Sequence, residues 1–226
     1  MSMLNFDQAL QHLLDAAVPV AELETLPIEA ALGRVLATAQ HSAIHVPTLD
    51  NSAMDGYAVC ADDVLAAGTC LPVSQRIPAG SIGHTLARGT AARIFTGAPV
   101  PAGATAVVMQ ELCAHAGDTV TVNHVPTQGE NIRRAGEDIA TGAEVLPGGT
   151  RLTPQALGLL ASVGIAQVPV RRALRVALFS TGDELVSPGE ALRPGAIYNS
   201  NRYLLRGALE QLGCDVTDLG IVADTL

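Results

Sequence analysis

The segment that decides the fold is Arg175 to Leu185, which reads R-V-A-L-F-S-T-G-D-E-L. Its first half is a continuous apolar run, and its second half is an acidic loop that contains glycine. Asn199 to Asn201 can then cap a helix over 202–212, Gly213 can end that helix, and a second apolar run covers 216–222. Strands that are buried on both faces of a parallel sheet read as continuous apolar runs. The spacing therefore predicts one strand, helix, strand unit of a parallel α/β sheet.

Two acidic residues follow these strands. Glu184 comes just after the first strand, and Asp224 comes just after the second. Because ligands of open α/β sheets bind beyond the carboxyl ends of the strands, both carboxylates are candidate site residues. A loop acid that caps a helix is the competing interpretation. For Asp224, which is two residues from the end of the sequence, both interpretations stay open.

Toward the amino terminus the pattern changes twice. Between residues 52 and 149, short apolar runs alternate with glycine and proline clusters, which is typical of a small β barrel or sandwich. The runs cover 57–60, 92–95, 106–109 and 119–122. Helical patterns flank this region over Asn5 to Ala17, Ile28 to Leu36 and, after the helix start Thr153-Pro154, Gln155 to Val163. The sequence thus predicts a mixed α and β, multidomain chain.

Composition narrows the function classes. The chain has 226 residues and is 48% hydrophobic, and its net charge of −9 disfavours nucleic-acid and acidic-membrane partners. All thirteen basic residues are arginine, which excludes Schiff-base lysines and the Walker lysine. The four cysteines form no C-x-x-C pair, as expected for reduced thiols rather than a zinc site. With no leader pattern and no apolar stretch of roughly eighteen residues, we expect a cytoplasmic protein.

The stretch Asp50 to Val59, read D-N-S-A-M-D-G-Y-A-V, sets two carboxylates five residues apart. Such residues suit a hard cation or a phosphate. Asp55-Gly56 is also a strong turn signal, because glycine tolerates positive φ, and alone the segment favours a turn. Gly136 to Ile139, beside Arg133-Arg134, similarly favours a solvated hairpin tip with local ion pairs.

Other polar residues have structural interpretations of equal or greater weight. His41 and His45 lie four apart, but Pro47 follows and no acidic third ligand has metal spacing. Gln110-Glu111 ends an apolar strand and stays open between site and structure. Tyr198-Asn199 is explained equally well by ligand contact and by a helix start.

Six strings, taken in order and spacing, resemble one family. They are D-N-S-A-M-D-G-Y-A-V, R-I-F-T-G-A-P-V-P, A-V-V-M-Q-E, N-I-R-R-A-G-E-D-I, L-F-S-T-G-D-E-L and I-Y-N-S-N. Together they closely resemble the molybdopterin molybdenumtransferase family, which includes MoeA and the gephyrin E domain. The resemblance runs from the N-terminal helix to Leu226.

The resemblance implies an enzyme of molybdenum cofactor biosynthesis. Such enzymes take adenylylated molybdopterin and molybdate and release AMP and the finished cofactor, with Mg²⁺ assisting. Carried over by motif, the implied residues are catalytic Asp55, Asp138 and Glu184, substrate-binding Asp55, Thr96 and Asn199, and metal-binding Glu184 and Asp224.

It also implies an elongated homodimer, in which the β domain of one subunit and the α/β domain of its partner form the active cleft. The expected parts are an N-terminal helix (1–24), a discontinuous linking domain (25–48 and 142–174), an inserted small β-barrel-like domain (49–141) and the start of an α/β molybdopterin-binding domain (175–226). A molybdopterin adenylyltransferase upstream and molybdoenzymes downstream are the implied protein partners.

The sequence departs from the family in length. Relatives continue through the rest of the α/β domain and a C-terminal β-barrel. Two parallel strands and one helix cannot cover both faces of a sheet, so we expect Val216 and Ile221 to be poorly buried. The chain is therefore predicted to be the N-terminal part of a longer enzyme. The alternative is a non-catalytic dimerising or scaffold fragment of the same family.

Overall fold

The structure, a computed structural model, describes residues 4–222. It divides into two compact units. The central unit runs from Gln40 to Val145, and the outer unit combines the residues up to Ala39 with those from Leu146 onward. The central unit is therefore an insertion in the sequence of the outer unit.

Short strands dominate the described residues, and three α-helices accompany them. The helices are α1 (Phe6–Ala16), α2 (Pro154–Ser162) and α3 (Ser200–Gln211). The strands are β1 (Leu23–Pro27), β2 (Gln40–His41), β3 (Asn51–Ser52), β4 (Gly56–Val59), β5 (Thr69–Ile77), β6 (Ala91–Ile94), β7 (Ala106–Met109), β8 (Cys113–Ala116), β9 (Thr119–Val122), β10 (Ile132–Arg133), β11 (Glu144–Leu146), β12 (Gln167–Arg171), β13 (Arg175–Thr181), β14 (Leu185–Val186), β15 (Ile197–Tyr198) and β16 (Asp215–Val222).

The central unit is organised around a sheet with the strand order β7-β4-β6-β5-β9-β8. Neighbouring strands are antiparallel except β5 and β6, which run parallel. In β4, Tyr57 and Val59 belong to one apolar core and Ala58 belongs to another. Because alternate side chains of a strand point to opposite faces, both faces of this sheet are buried. The edge strands β7 and β8 are not paired with each other in the described residues, so hydrogen bonds do not close the predicted barrel.

The four apolar runs predicted as strands are confirmed as β4, β6, β7 and β9. The longest strand of the sheet, β5, was not predicted. Pro72 and Ser74 interrupt its apolar pattern, and its pairing with β6 shifts register between Val73 and Gln75. Pairing with a neighbouring strand on each side, rather than local periodicity, specifies this segment.

The structure contradicts the interpretation of Asp55-Gly56 as a turn that needs glycine at positive φ. Gly56 is the first residue of β4 and does not have positive φ. A Cβ at this position would lie 2.0 Å from the carbonyl oxygen of Val108 in β7. Glycine is needed here because two backbones approach closely, and the conformational freedom on which the turn prediction rested is not used.

The outer unit holds a smaller apolar core. Strands β1 and β12 pair antiparallel, and α2 packs buried Leu160 beside Leu36 and Val168. The helix predicted over 155–163 is confirmed as α2, with Thr153 accepting a hydrogen bond from the backbone N–H of Ala156. The predicted helix over 28–36 is wrong, because only Ile28–Ala30 forms one 3₁₀ turn.

The last segment forms the predicted strand, helix, strand unit. Strands β13 and β16 pair in parallel, and α3 connects them in sequence, with Asn199 as its N-terminal cap. Val216 and Ile221 are only half-buried, as expected. Phe179 and Leu219 are each 55% exposed. This sheet therefore leaves apolar surface uncovered in the described chain.

The predicted amphipathic helix at the start of the chain is confirmed as α1. Asn5 and Gln8 form a reciprocal capping box. The helix ends at Ala16 and buries none of its residues, and Phe6 and Leu13 are among its exposed apolar side chains. The capping box satisfies its first backbone N–H groups, and packing within the described chain contributes little to its stability.

Candidate functional site

Asp55 and Thr96 are brought together by two neighbouring strands. Asp55 precedes β4 and Thr96 follows β6, and the antiparallel register pairs Gly56 with Ile94. Asp55 Oδ1 accepts hydrogen bonds from the backbone N–H and from the hydroxyl of Thr96, both at 2.7 Å. The sheet thus joins two residues that are 41 positions apart in sequence.

The contact fixes the charge state of Asp55. The Thr96 N–H, then the Thr96 hydroxyl, hold the pKa of this carboxyl below its ordinary value of 3.8, and the guanidinium of Arg93 acts in the same direction. Asp55 is therefore an anion at neutral pH and accepts the hydrogen bond that the Thr96 hydroxyl donates. The lone pairs of the Thr96 oxygen stay available to a hydrogen-bond donor on a ligand.

Asp138 lies in the same unit and is held by a different partner. Both of its carboxylate oxygens are 2.6 Å from Nη2 of Arg133. Glu137 is also an ion-pair partner of Arg133, at 3.6 Å. The local ion pairs of the structural interpretation are thus present, and all three side chains are exposed enough for water to weaken them.

Strand pairing places the Asp138 motif beside the Asp50 motif. Ile132 and Arg133 in β10 pair with Ser52 and Asn51 in β3. The Asp50 carboxylate accepts from the Ala135 N–H at 2.8 Å and from Arg134 at 2.5 Å. The Ala135 N–H and the Arg134 guanidinium lower the pKa of Asp50. Two segments far apart in sequence therefore form one polar surface of the central unit.

Glu184 lies in the outer unit, in the loop between β13 and β14. Its backbone carbonyl accepts from the N–H of Ile197 at 2.8 Å. Its side chain is exposed and lies against Gly182, where a Cβ would be 2.7 Å from Oε2. Neither carboxylate oxygen has a hydrogen-bond partner among residues 4–222, so both can bind a ligand or a cation.

Asn199 serves the helix start. Its Oδ1 accepts from the backbone N–H of Arg202 at 3.2 Å, which confirms the structural interpretation. The residue is only 4% exposed, and within the described chain its Nδ2 has no hydrogen-bond partner. A buried donor without a partner is costly, and ligand binding by Asn199 stays a prediction.

Of the two predicted metal-binding residues, Glu184 and Asp224, the structure describes only Glu184. Asp224 lies outside the described residues. Residues 4–222 contain no group of three or more His, Cys, Asp or Glu side chains that could hold a metal ion. Mg²⁺ is commonly bound through one or two carboxylates together with waters and phosphate oxygens. The open carboxylate of Glu184 fits that mode of binding, and an all-protein cage does not fit the described residues.

The sequence did not indicate Arg93 as a candidate site residue, and it left Gln110 open between a site role and a structural role. Arg93 donates to the carbonyl of Gly56 at 3.0 Å and to Gln110 Oε1 at 2.7 Å. The backbone N–H of Gln110 donates to the carbonyl of Asp55 at 3.0 Å. Both residues therefore border the contact between Asp55 and Thr96. The usable signal was the position of Arg93 three residues before Thr96 in R-I-F-T-G-A-P-V-P.

His45 has a structural role, as predicted. Its Nδ1 accepts from the backbone N–H of Thr141 at 3.2 Å, and Gly136 lies against its ring. This contact fixes the ring from within the central unit.

Comparison with known families agrees with this arrangement of motifs. Residues 4–164 match the family model described as MoeA N-terminal region (domain I and II). The chain belongs to the MoeA family. Residues 177–226 match a second model, described as a probable molybdopterin binding domain. The resemblance inferred from the six strings is thereby confirmed.

Curated MoeA relatives match nearly the whole chain. The molybdopterin molybdenumtransferase of Haemophilus influenzae is 41% identical over 223 residues, which cover 98% of this chain and 55% of the relative. Molybdopterin molybdenumtransferase 2 of Mycobacterium tuberculosis is 45% identical over 205 residues, which cover 88% of this chain and 51% of the relative. The chain spans about half the length of the curated relatives it matches.

A solved structure shares the fold. The crystal structure of the molybdopterin biosynthesis MoeA protein from Pyrococcus horikoshii OT3 is 34% identical, with a TM-score of 0.93, and the match covers 99% of this chain and 61% of that chain. The mixed α and β fold of the MoeA proteins is thus shown for this chain, and its division into the four predicted parts stays a prediction. Among the described helices, none is long and apolar enough to cross a bilayer.

Proposed function

We propose that this chain supplies the N-terminal portion of a molybdopterin molybdenumtransferase, which inserts molybdate into adenylylated molybdopterin and releases AMP. The observation that carries the proposal is family membership, together with relatives of that name at 41% and 45% identity. These names favour an enzyme over the non-catalytic fragment. The proposal includes assembly as a homodimer and a cytoplasmic location, both supported by the family resemblance.

The central unit would bind and orient the substrate. Asp55 holds the Thr96 hydroxyl, whose oxygen would accept a hydrogen bond from the ligand. Asp138 holds Arg133, and the guanidinium donors that face away from Asp138 would contact a phosphate. The exposed position of both pairs allows a ligand to reach them without a change in the sheet.

The outer unit would supply the carboxylate that faces the phosphoanhydride. Glu184, together with Asp224 and the Asn199 amide, would hold Mg²⁺ and a substrate oxygen. Magnesium held there would neutralise phosphate charge while AMP leaves. Glu184 is suited to this role because no described side chain competes for its oxygens, whereas a carboxylate already paired with arginine would first lose that pair.

The experiment is molybdate- and Mg²⁺-dependent AMP release from adenylylated molybdopterin. We would assay the 226-residue chain and a chimera that joins it to the C-terminal portion of the Haemophilus influenzae relative. We expect AMP release from the chimera, and a loss of about a hundredfold in its Glu184→Gln variant. The matched control is Glu190→Gln, an exposed glutamate of the same unit. A folded chimera without activity, or equal rates in both variants, contradicts the proposal.

A further inference from the structure

A cavity of about 800 Å³ lies on one side of the six-stranded sheet. Three neighbouring strands supply its wall in one row, because the register pairs Tyr57 in β4 with Arg93 in β6, and Arg93 with Arg76 in β5. Phe95 follows β6 and also lines the cavity. We call this cavity, which is lined in addition by Gln110 and His115, the arginine pocket.

The two arginines of the pocket lie over the same aromatic ring. The Cζ atoms of Arg76 and Arg93 are each 4.6 Å from the centroid of the Phe95 ring. Arg93 is also 5.2 Å from the centroid of Tyr57. Cation–π attraction therefore holds two like charges around one ring.

Neither guanidinium is neutralised by a direct ion pair. The hydrogen-bond acceptors of Arg93 are the Gly56 carbonyl and the Gln110 amide, which are uncharged. Within residues 4–222, neither Arg76 nor Arg93 has a carboxylate within 4.0 Å. Seven other arginines of the described chain do have such a partner, for example Arg88 with Asp63 at 2.7 Å. In a chain with a net charge of −9, this pocket is a local concentration of available positive charge.

The pocket also offers flat surfaces. The exposed ring of His115 stacks on the buried ring of Tyr57, with centroids 6.5 Å apart and planes at 19°, so His115 is the ring of this pair that a ligand can reach. Guanidinium forks bind phosphate oxygens in pairs, and aromatic or guanidinium planes stack on flat rings. A ligand that carries phosphate on a flat heterocycle can satisfy both features at once.

We propose that the arginine pocket binds the phosphate group of a ligand with a flat heterocyclic ring, that is, a nucleotide or a phosphorylated pterin. The choice between these ligands and other oxyanions rests on the proposed function, whose substrate joins a pterin and an adenine nucleotide through phosphate groups. The pocket borders the Asp55 and Thr96 contact through Arg93 and Gln110. A ligand phosphate held by Arg76 and Arg93 would therefore lie next to the Thr96 hydroxyl.

Binding is measured by isothermal titration calorimetry on the 226-residue chain, which needs no turnover. The probes are AMP, a monophosphorylated pterin, inorganic phosphate and adenosine. We expect AMP or the phosphorylated pterin to bind, and the tighter of the two identifies the preferred ring. The affinity should fall as the salt concentration rises. Binding of adenosine as tight as that of AMP, or no binding of either phosphorylated probe at millimolar concentration, overturns the proposal.

Two variants locate the binding. Arg76→Gln and Arg93→Gln should each weaken the affinity for the tighter probe by about tenfold or more, because each removes a charge-assisted hydrogen bond. Arg76 is the decisive position, since the described residues make no hydrogen bond with its guanidinium and its loss leaves no partner unsatisfied. Circular dichroism verifies that each variant is folded.

Arg88→Gln is the matched control, with the same change of charge on the same unit but outside the pocket. An equal loss of affinity in Arg88→Gln and Arg76→Gln would show that only long-range electrostatic attraction contributes. That result would overturn the proposal that the ligand binds in the arginine pocket. The two proposals fail separately. An inactive chimera that still binds AMP through Arg76 contradicts only the proposed function, and an active chimera whose affinity is unchanged by Arg76→Gln contradicts only the pocket.

Discussion

The sheet of the central unit and the β13–β16 sheet of the outer unit differ in how much of their apolar surface is covered. The central sheet has buried side chains on both faces, among them Leu71 and Ile94. The β13–β16 sheet leaves Phe179 and Leu219 largely exposed. The same contrast extends to the candidate acids, because Asp55 is held by Thr96, whereas the carboxylate of Glu184 has no described partner. Within the described residues, therefore, Asp55 is held by hydrogen bonds from a neighbouring strand end, and the Glu184 side chain has no such partner.

The largest expected effect comes from truncating one leucine in each sheet. Leu71→Ala should lower the free energy of unfolding of the central unit by about 2–5 kcal/mol, because the side chain is 5% exposed and its loss leaves a cavity. Leu219→Ala should change stability by less than about 0.5 kcal/mol. Chemical denaturation of both variants measures the difference, and similar losses at the two positions would break the comparison.

Gly56→Ala should be the next most damaging change. The new Cβ would meet the Val108 carbonyl oxygen at 2.0 Å, so β4 and β7 would have to separate, at a cost of about 1–3 kcal/mol. Gly158→Ala in α2 is the control, because nothing lies within 4 Å of its added Cβ and alanine favours a helix. Thermal melts should therefore shift in opposite directions, and a neutral Gly56→Ala would show that the strands are not tightly apposed.

A smaller effect is expected at the acid held by Thr96. Thr96→Val removes the hydroxyl and keeps the backbone N–H, so the pKa of Asp55 should rise toward its ordinary value of 3.8 without reaching it. Carboxyl carbon NMR during a pH titration measures the shift. Asp63, whose pKa is lowered by Arg88 and the Gly89 N–H, is the internal control. An unchanged pKa of Asp55 in the variant would show that the Thr96 hydroxyl does not lower it.

The smallest expected effect is the acid dependence of the central unit. The pKa values of Asp50, Asp55 and Asp63 are all lowered in the folded chain. Their contribution to stability is therefore present above the ordinary value of 3.8 and is lost as pH falls through the lower folded values. Arg88→Gln should reduce this acid sensitivity, because Arg88 is the main cause of the shift at Asp63. Unfolding midpoints between about pH 6 and pH 2 measure the slope, and an identical slope in the variant would contradict the assignment.

Helices and strands were predicted correctly where the whole signal lies within the segment itself. Thr153-Pro154 marks the start of α2, Asn199 caps α3, and the continuous apolar runs at Arg175 and Val216 become paired parallel strands. The pattern over 28–36 failed because the chain turns away from the helix after Ala30, and Gly33 has a φ of 75°.

The candidate site residues were named from motifs and stay predictions, and the sequence did not show which residues they contact. Motif resemblance supplied Asp55, Thr96 and Asp138, whereas local periodicity could not show that β4 and β6 join the first two. The sequence did not identify Arg93 as a candidate residue, because its neighbours depend on the register of β4, β5 and β6. Pairings between distant segments depend on the whole sheet, and a single segment does not encode them.

Two aspartates of the central unit show most directly whether Asp55 takes part in the proposed molybdenum transfer. AMP release by the chimera is measured with Asp55→Asn and with Asp63→Asn, after circular dichroism has verified that both are folded. We expect a loss of at least about tenfold for Asp55→Asn. We expect a rate unchanged within about twofold for Asp63→Asn, because Asp63 pairs with Arg88 and not with Thr96. Equal rates in the two variants would contradict a role of Asp55 in the transfer.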